Sequence, residues 1–499
     1  MEMNQDMGIT QRLSMPMCQR VVNSDISEDF TLPDYYPEIR RVLYVREDIP
    51  TPARFISGNK IDVNGVVDYT LVYVNSDGGV CSAPLSAEYS FALPIENVGD
   101  FELGEGVTVM AHTYADSSNV RVSAPRKLQI RSHLRSAVSA YGKMLCEDNF
   151  SGLQSEGSIE RLYGESVCGD IVCESSDVIT LEDEYQLPSE ECGVALADGG
   201  VYIEDSRIEG EMIRIRGEAV IRILVSCANQ VRETVTRRLP FEAETDIDGI
   251  AAEGDALVRV SGTLTDLALN VEDGRVMTEA NVVLEVCVGQ NKPIRYTKDI
   301  YSVEQESEAQ MRLYRMPVVL ENRNLNFTQS DKIELSELNF PQGAEIVHTY
   351  GNAVFDQAEV EGGKCVLSGS CKYDLICLTE GEYSHVEVKL PFKHELDMDS
   401  DIESFDATAH IMSCKVRNDG EFLNFDSEIF AACTLMGRND TEIVEQVSFG
   451  EGREESANRW IVYYVTPEDD IWNIAKRYGV READIKGDPS ADRYVTIER

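Results

Sequence analysis

Three glycines, Gly65, Gly217 and Gly369, stand 152 residues apart, each inside a strand-like run. The runs are Ile61-Asp-Val-Asn-Gly-Val-Val-Asp-Tyr-Thr-Leu-Val-Tyr73, Ile213-Arg-Ile-Arg-Gly-Glu-Ala-Val-Ile-Arg-Ile-Leu-Val225 and Cys365-Val-Leu-Ser-Gly-Ser-Cys-Lys-Tyr-Asp-Leu-Ile-Cys377. A period of this length constrains the fold strongly, because one plan must bury three cores. A Leu-Pro or Phe-Pro pair opens each copy, at Leu32-Pro33, Leu187-Pro188 and Phe340-Pro341. A second strand follows each run and ends in an aromatic, at Ser90-Phe91, Leu239-Pro-Phe241 and Leu390-Pro-Phe392. A further hairpin closes each copy, with turns expected at Ser117-Ser-Asn119, Glu272-Asp-Gly274 and Asn418-Asp-Gly420. Asp-Gly between alternating apolar runs signals a hairpin, since both turn positions tolerate positive φ.

Alternation at period two sets the fold class. Ile215, Gly217, Ala219, Ile221 and Ile223 share one strand face, while Arg214, Arg216, Glu218 and Arg222 lie on the other with Val220. One buried and one solvated face is the mark of an antiparallel sheet. The chain therefore reads as mostly β: three tandem β-rich repeats, each a sandwich or an open barrel, followed by a small βααβ domain. The boundaries are 1–30 for an N-terminal segment, 31–145, 146–300 and 301–450 for the repeats, 451–459 for a linker and 460–499 for the last domain. The shared glycine marks a bulge or a close backbone approach.

The C-terminal stretch changes period. Asp469 and Asp470 are N-cap candidates, because a carboxylate accepts from the free N–H groups of a first helical turn. Ile471, Trp472, Ile474, Ala475 and Tyr478 recur at helical spacing, and Gly479 stands where a left-handed C-cap is needed. Tyr494, Val495, Thr496 and Ile497 have the alternation of a closing strand. This stretch resembles a LysM module, a βααβ fold whose best-known ligand is N-acetylglucosamine glycan. The resemblance implies a core of Tyr464, Ile471, Trp472, Ile474 and Tyr478. It implies a binding surface on two turns, Pro467, Glu468, Asp469 and Asp470 in the first and Lys486, Gly487 and Asp488 in the second. Glu468 stands where that family usually carries glycine, which alters a sugar groove and leaves the turns open to a protein partner.

The first repeat adds a second resemblance. Phe30-Thr-Leu-Pro-Asp-Tyr-Tyr-Pro-Glu-Ile-Arg-Arg-Val-Leu43, the strand around Gly65 and then Tyr73 resemble the SPOCS domain of spore-coat assembly proteins. Tandem SPOCS-like copies with a C-terminal LysM module imply a non-enzymatic scaffold in spore coat morphogenesis. The implied partners are a SpoIVA-type coat ATPase and other coat proteins, and the implied place is the mother-cell cytoplasm at the forespore surface. A peptidoglycan-binding protein and a phage-tail or baseplate component are the alternatives, since both pair LysM modules with other domains.

Composition narrows the partners. The formal charge of −44 argues against nucleic acid and against an anionic membrane surface. With 42% apolar residues the chain is globular. No apolar run is long enough for a transmembrane helix, and Met1-Glu-Met-Asn-Gln-Asp does not read as a secretory signal, so a cytoplasm is the expected compartment. The 13 cysteines, without any C-x-x-C, are expected to be reduced and buried; Cys365, Cys371 and Cys377 would share one strand face.

Residues 117–146 hold no Asp or Glu in a chain with 89 of them. Lys127, Arg131, His133 and Arg135, with Gln129, share one strand face as a basic strip. It would either neutralise acidic surface of this molecule or contact an acidic partner. No P-loop, H-E-x-x-H or G-x-S-x-G occurs, and the 6 histidines lack metal-ligand spacing. Asp397-Met-Asp399-Ser-Asp401 lacks the Gly and Glu of a calcium loop and reads as a solvated turn. No cofactor and no catalytic residue is expected.

Overall fold

Period-two alternation carries each copy into long antiparallel strands. A computed structural model describes residues 10–95, 101–102, 106–147, 158–210, 212–228, 230–246, 256–361, 364–398, 401–453 and 460–498. Met1 to Asp6, Asp399 and most of the 451–459 linker lie outside them.

Copy 1 contains β1 (Thr10–Thr31), β2 (Ile39–Asp48), β3 (Ala53–Ser57), β4 (Lys60–Asn75), β5 (Val80–Pro94), β6 (Phe101–Glu102), β7 (Thr108–Ala124) and β8 (Lys127–Glu147). Copy 2 contains β9 (Ile159–Ser175), β10 (Ile179–Gln186), β11 (Cys192–Glu209), β12 (Met212–Cys227), β13 (Gln230–Asp246), β14 (Leu257–Glu272) and β15 (Arg275–Ser302). Copy 3 contains β16 (Gln305–Glu334), β17 (Glu345–Glu361), β18 (Lys364–Thr379), β19 (Glu382–Leu396), β20 (Ser404–Asn418) and β21 (Phe422–Gly452). The C-terminal module contains β22 (Trp460–Tyr464), α1 (Ile471–Tyr478), β23 (Ile485–Lys486) and β24 (Tyr494–Glu498).

Each copy has two layers; in copies 1 and 2 the layers are separate sheets, while in copy 3 a pairing of β17 with β20 at Ala353 and Ala409 joins them into one six-stranded sheet. The first layer centres on the glycine strand: β2 and β5 flank β4, β11 and β13 flank β12, β17 and β19 flank β18. The second layer centres on a long strand: β1 and β7 flank β8, β16 and β20 flank β21. In copy 2 the outer strand is broken in two, and β9 and β10 both pair with β15. Residues 10–30, set apart from the first repeat on sequence, thus belong to its outer strand β1, paired with β8 from end to end. The copy 2 core shows the two layers meeting: Ile215, Ala219, Ile221 and Ile223 of β12 pack against Val260, Ala280, Val282 and Leu284 of the other sheet. Ile221 and Ile223 are fully buried, each worth about 1.5–3 kcal/mol of transfer energy.

The glycine of each copy is a close approach. Gly65, Gly217 and Gly369 lie directly opposite Tyr89, Phe241 and Phe392. A Cβ on Gly217 would stand 2.4 Å from Tyr202 O and 2.8 Å from Phe241 Cζ; on Gly369, 2.2 Å from Val354 O and 2.8 Å from Phe392 Cζ. The ring fills the room that a missing side chain leaves. In copy 1 the covering aromatic is Tyr89, two residues before the expected Phe91.

Two of the three expected turns are in place. Asp273 and Gly274 have φ of 50° and 73°, and Gly420 has 96°. The third is not: Ser117-Ser-Asn119 lies inside β7 beside a bulge between Ala115 and Ser117, and the turn falls at 125–126. Pro125 cannot donate to the ladder, so a proline, and not the polar triplet, ends the strand.

The cysteines also differ from expectation. Cys173–Cys287 and Cys192–Cys227 are disulfides, each between directly opposed residues with Cα atoms 4.1 Å apart. Their partners are 114 and 35 residues apart, so only sheet register reveals them. Cys365, Cys371 and Cys377 do share one buried face, in the copy 3 core.

Equivalent residues of the three copies meet. Leu43, Ala195 and Val347, at the 152-residue period, pack in one cluster with Val72, Leu224 and Ile376, which have the same period. Mutual contact of three equivalents requires an approximate threefold axis through them. The strand contacts agree: β11 packs on β5, β17 on β13, and β2 on β19, which closes a ring. The closing seam holds Arg40 to Glu382 at 3.1 Å and stacks Tyr44 on His385 at 5.2 Å. One layer down, the equivalents Arg46, Asp198 and Tyr350 form a charged centre. Arg46 lies 5.4 Å over the Tyr350 ring and donates to Ala197 O at 3.3 Å, and Arg222 pairs with Asp198 at 2.5 Å. Burial pushes the Asp198 carboxyl up, but Arg222, Arg46 and His348 outweigh it and hold it below the ordinary value.

Candidate docking site

Below the charged centre the copies leave a cavity of about 800 Å³. Its cations are matched inside the chain, Arg46 by Asp48 at 2.7 Å and Arg222 by Asp198. The C-terminal module instead presents exposed apolar side chains, Trp460, Val462, Tyr464 and Tyr494.

Local chemistry builds the module as the sequence implies. Asp470 is the N-cap, accepting from Asn473 N at 2.7 Å. Asp469 organises the preceding turn, accepting from Thr466 N (2.8 Å), Thr466 Oγ1 (2.7 Å) and Tyr463 OH (2.8 Å). The Thr466 bonds are the main reason its carboxyl lies below the usual range. Gly479 takes the left-handed C-cap with φ 61°. Where a second helix was expected there is a single 3-10 turn over Glu482–Asp484. Chain direction then reverses through Gly487, φ 113°, and Asp488, which accepts from Ser490 N at 2.8 Å.

The module has a core that it shares with copy 2. Trp472, Ile474, Ala475, Val480, Ile485, Val495 and Ile497 pack with Tyr301 of β15. Trp472 Nε1 donates to Asp299 Oδ2 at 2.8 Å, and Lys476 Nζ donates to both Asp299 oxygens at 2.6 and 2.7 Å. Tyr301 OH donates to Val480 O at 2.7 Å, and its ring meets Trp472 edge-on at 4.9 Å. Arg481 reaches Glu160 at 3.6 Å. Burial raises the Asp299 carboxyl, but Lys476, Trp472 and the Ile300 amide outweigh it and leave it below its usual value. The module is therefore mounted on the ring through its helix.

Of the expected core, Trp472 and Ile474 are buried and Ile471 and Tyr478 half-buried. Tyr464 is not core: it is 66% exposed. Ile461 and Tyr463 point toward α1, so alternation turns Trp460, Val462 and Tyr464 outward. Tyr494 lies beside Tyr464 with ring centroids 6.2 Å apart. Lys486 Nζ stands 4.9 Å over the Trp460 ring and 3.5 Å from Glu498. Of the expected turn residues, Pro467, Glu468, Asp470, Gly487 and Asp488 are exposed and Asp469 is half-buried. Sequence reasoning missed Trp460, Val462 and Tyr494. Both parities of Trp460-Ile-Val-Tyr-Tyr464 are apolar, so no pattern said which side faces the helix.

The basic strip lies on β8 of copy 1, away from the copy 2 mount. Lys127 and Arg131 are exposed, while Leu128, Ile130 and Leu134 are buried behind them. The strand opposite is acidic: His133 Nδ1 is 2.7 Å from Asp25 Oδ1, and Gln129 donates to Asp29 at 3.1 Å. Arg135 sits 5.9 Å over the Tyr114 ring. Arg131 donates to Gln129 at 3.2 Å, so four of the five strip residues have partners within copy 1.

Taken together these features define a closed ring of three β-sandwiches bearing one mounted strand–helix module. No protein-family model, curated protein or solved structure matches the chain. Among the described residues no helix is long and apolar enough to cross a membrane.

Proposed function

We propose that this chain is a non-enzymatic scaffold of spore coat assembly that docks through its C-terminal module onto a SpoIVA-type coat ATPase. It would work in the mother-cell cytoplasm at the forespore surface, with other coat proteins as further partners. One observation carries the reading: the module is held by the Asp299 clamp on a closed ring, so it presents its remaining surface in a fixed direction. A fixed presentation lowers the ordering cost of binding, which suits an adaptor.

The chain's tryptophans, Trp460 and Trp472, both lie in the module and provide the test. Emission is followed while the protein is titrated with the ATPase and, separately, with chitin oligomers. A response to the ATPase that disappears on removing residues 460–499 supports the scaffold. A saturable response to the sugar alone would replace it with a peptidoglycan-binding protein. Alkylation of protein taken directly from cells tests the compartment: all 13 cysteines should react if it is reducing, and 9 if the two disulfides persist.

A further inference from the structure

We infer that the module takes its partner as an added strand: an extended peptide segment, apolar at alternate positions and basic between them, pairs along β22 and lays its apolar side chains on the outer sheet face. The inference rests on the docking role above and names the surface and the mode.

Three observations converge. The sheet order is β22-β24-β23, so β22 is an edge, and among the described residues no strand pairs with its other side. Unpaired edge N–H and C=O groups are a template for another chain. Next, the outer face is apolar. Trp460, Val462, Tyr464 and Tyr494 are 50, 55, 66 and 53% exposed on one side of two paired strands. Only Glu498 adds a negative charge there, and Lys486 offsets it. Such a neutral apolar face is unusual on a chain of charge −44 and marks an interaction surface.

Area then selects the occupant. Four half-exposed side chains of this size offer on the order of 400 Å². A stable interface between folded proteins needs about 800 Å² per partner. A second copy would have to extend the contact onto surface of its own sign, at a chain charge of −44 each. A peptide of about five residues spans roughly 16 Å, the length of β22, and stays on the neutral face. Basic residues between its apolar ones would draw it to the acidic chain.

The test uses the full chain and synthetic peptides alternating Val with Lys, and Ser with Lys. Backbone amide exchange at residues 460–464 is the readout, since strand addition protects edge amides and simple charge attraction does not. The Val/Lys peptide should slow that exchange by about tenfold or more, and the Ser/Lys peptide should not. Tyr464→Ser, on an exposed position, should weaken the Val/Lys peptide and the ATPase by about tenfold with unchanged melting. Peptide or ATPase binding that leaves exchange at 460–464 unaltered overturns the strand mode while the docking role stands. Undiminished ATPase binding after removal of 460–499 overturns the docking role itself. A concentration-dependent dimer abolished by Tyr464→Ser would make the occupant a second copy and overturn the peptide.

Discussion

The ring junctions and the module's mount solve the same problem, fixing one β unit on another, by different means. Between the copies, equivalent positions do the work: Leu43, Ala195 and Val347 in one layer, Arg46, Asp198 and Tyr350 in the next. At the mount nothing is repeated. Asp299 and Tyr301 of copy 2 meet Trp472, Lys476 and Val480 of the module. The apolar layer of the ring tolerates divergence, since it needs only volume, whereas the charged layer and the buried Arg259–Asp406 pair between copies 2 and 3, at 2.5 Å, do not. The mount depends on a few polar atoms whose loss strands a buried partner.

The largest expected difference between the two regions follows from Trp472→Ala. Lost burial and the cavity left behind should cost the module about 3–5 kcal/mol, while the ring melts as before. Calorimetry should then show an early module transition; a single unshifted transition would make module and ring one cooperative unit.

Acid should act the other way, on the ring first. Burial pushes His348, at the axis, down to about 4, and shifts the half-buried His410, which lines the cavity, in the same direction. The unfolded chain binds these protons near pH 6.5, so it holds more protons than the fold between 6.5 and 4. Stability therefore falls as pH drops through that window, by about 3 kcal/mol at pH 4 for His348 and by less for His410. The mount's Asp299 is shifted below 3.8, so its contribution is present above that value and lost only as pH falls further. Denaturation midpoints against pH should show the ring weakening first, and His348→Phe should flatten the ring's slope.

A smaller effect tests whether the three copies are equal. Gly369→Ala should cost about 1–3 kcal/mol by overpacking, because its Cβ would meet the Val354 carbonyl. Gly65→Ala should cost less, since its nearest atoms belong to the Tyr89 side chain. Equal losses in urea titrations would show that the aromatic, not the backbone, sets the constraint. Smallest is Asp470→Ala. Loss of the N-cap should remove about 1 kcal/mol from the module and nothing from the ring, visible as faster amide exchange in α1 alone.

Much of the local structure was legible in the chain. Asp470 and Gly479 bracket α1 as their chemistry requires, and Asp273-Gly274 turns where positive φ is needed. The misreadings share a cause. Ser117-Ser-Asn119 has turn composition, but the ladder with β8 runs through it. Tyr464 has core composition, but α1 lies on the other face of its strand. Composition gives a propensity, and the neighbour that overrides it is not written nearby.

By itself the sequence determined the β class, the threefold count of copies and the special backbone position of each shared glycine, because alternation, turn φ and a missing Cβ are properties of short segments. Only the tertiary structure decided that the copies close into a ring, that Cys173 meets Cys287, that β1 belongs to copy 1 and that Asp299 receives Trp472. Those facts depend on register and docking between residues 96 or more apart. A period shows which positions are equivalent, and the packing free energy alone chooses which of them touch.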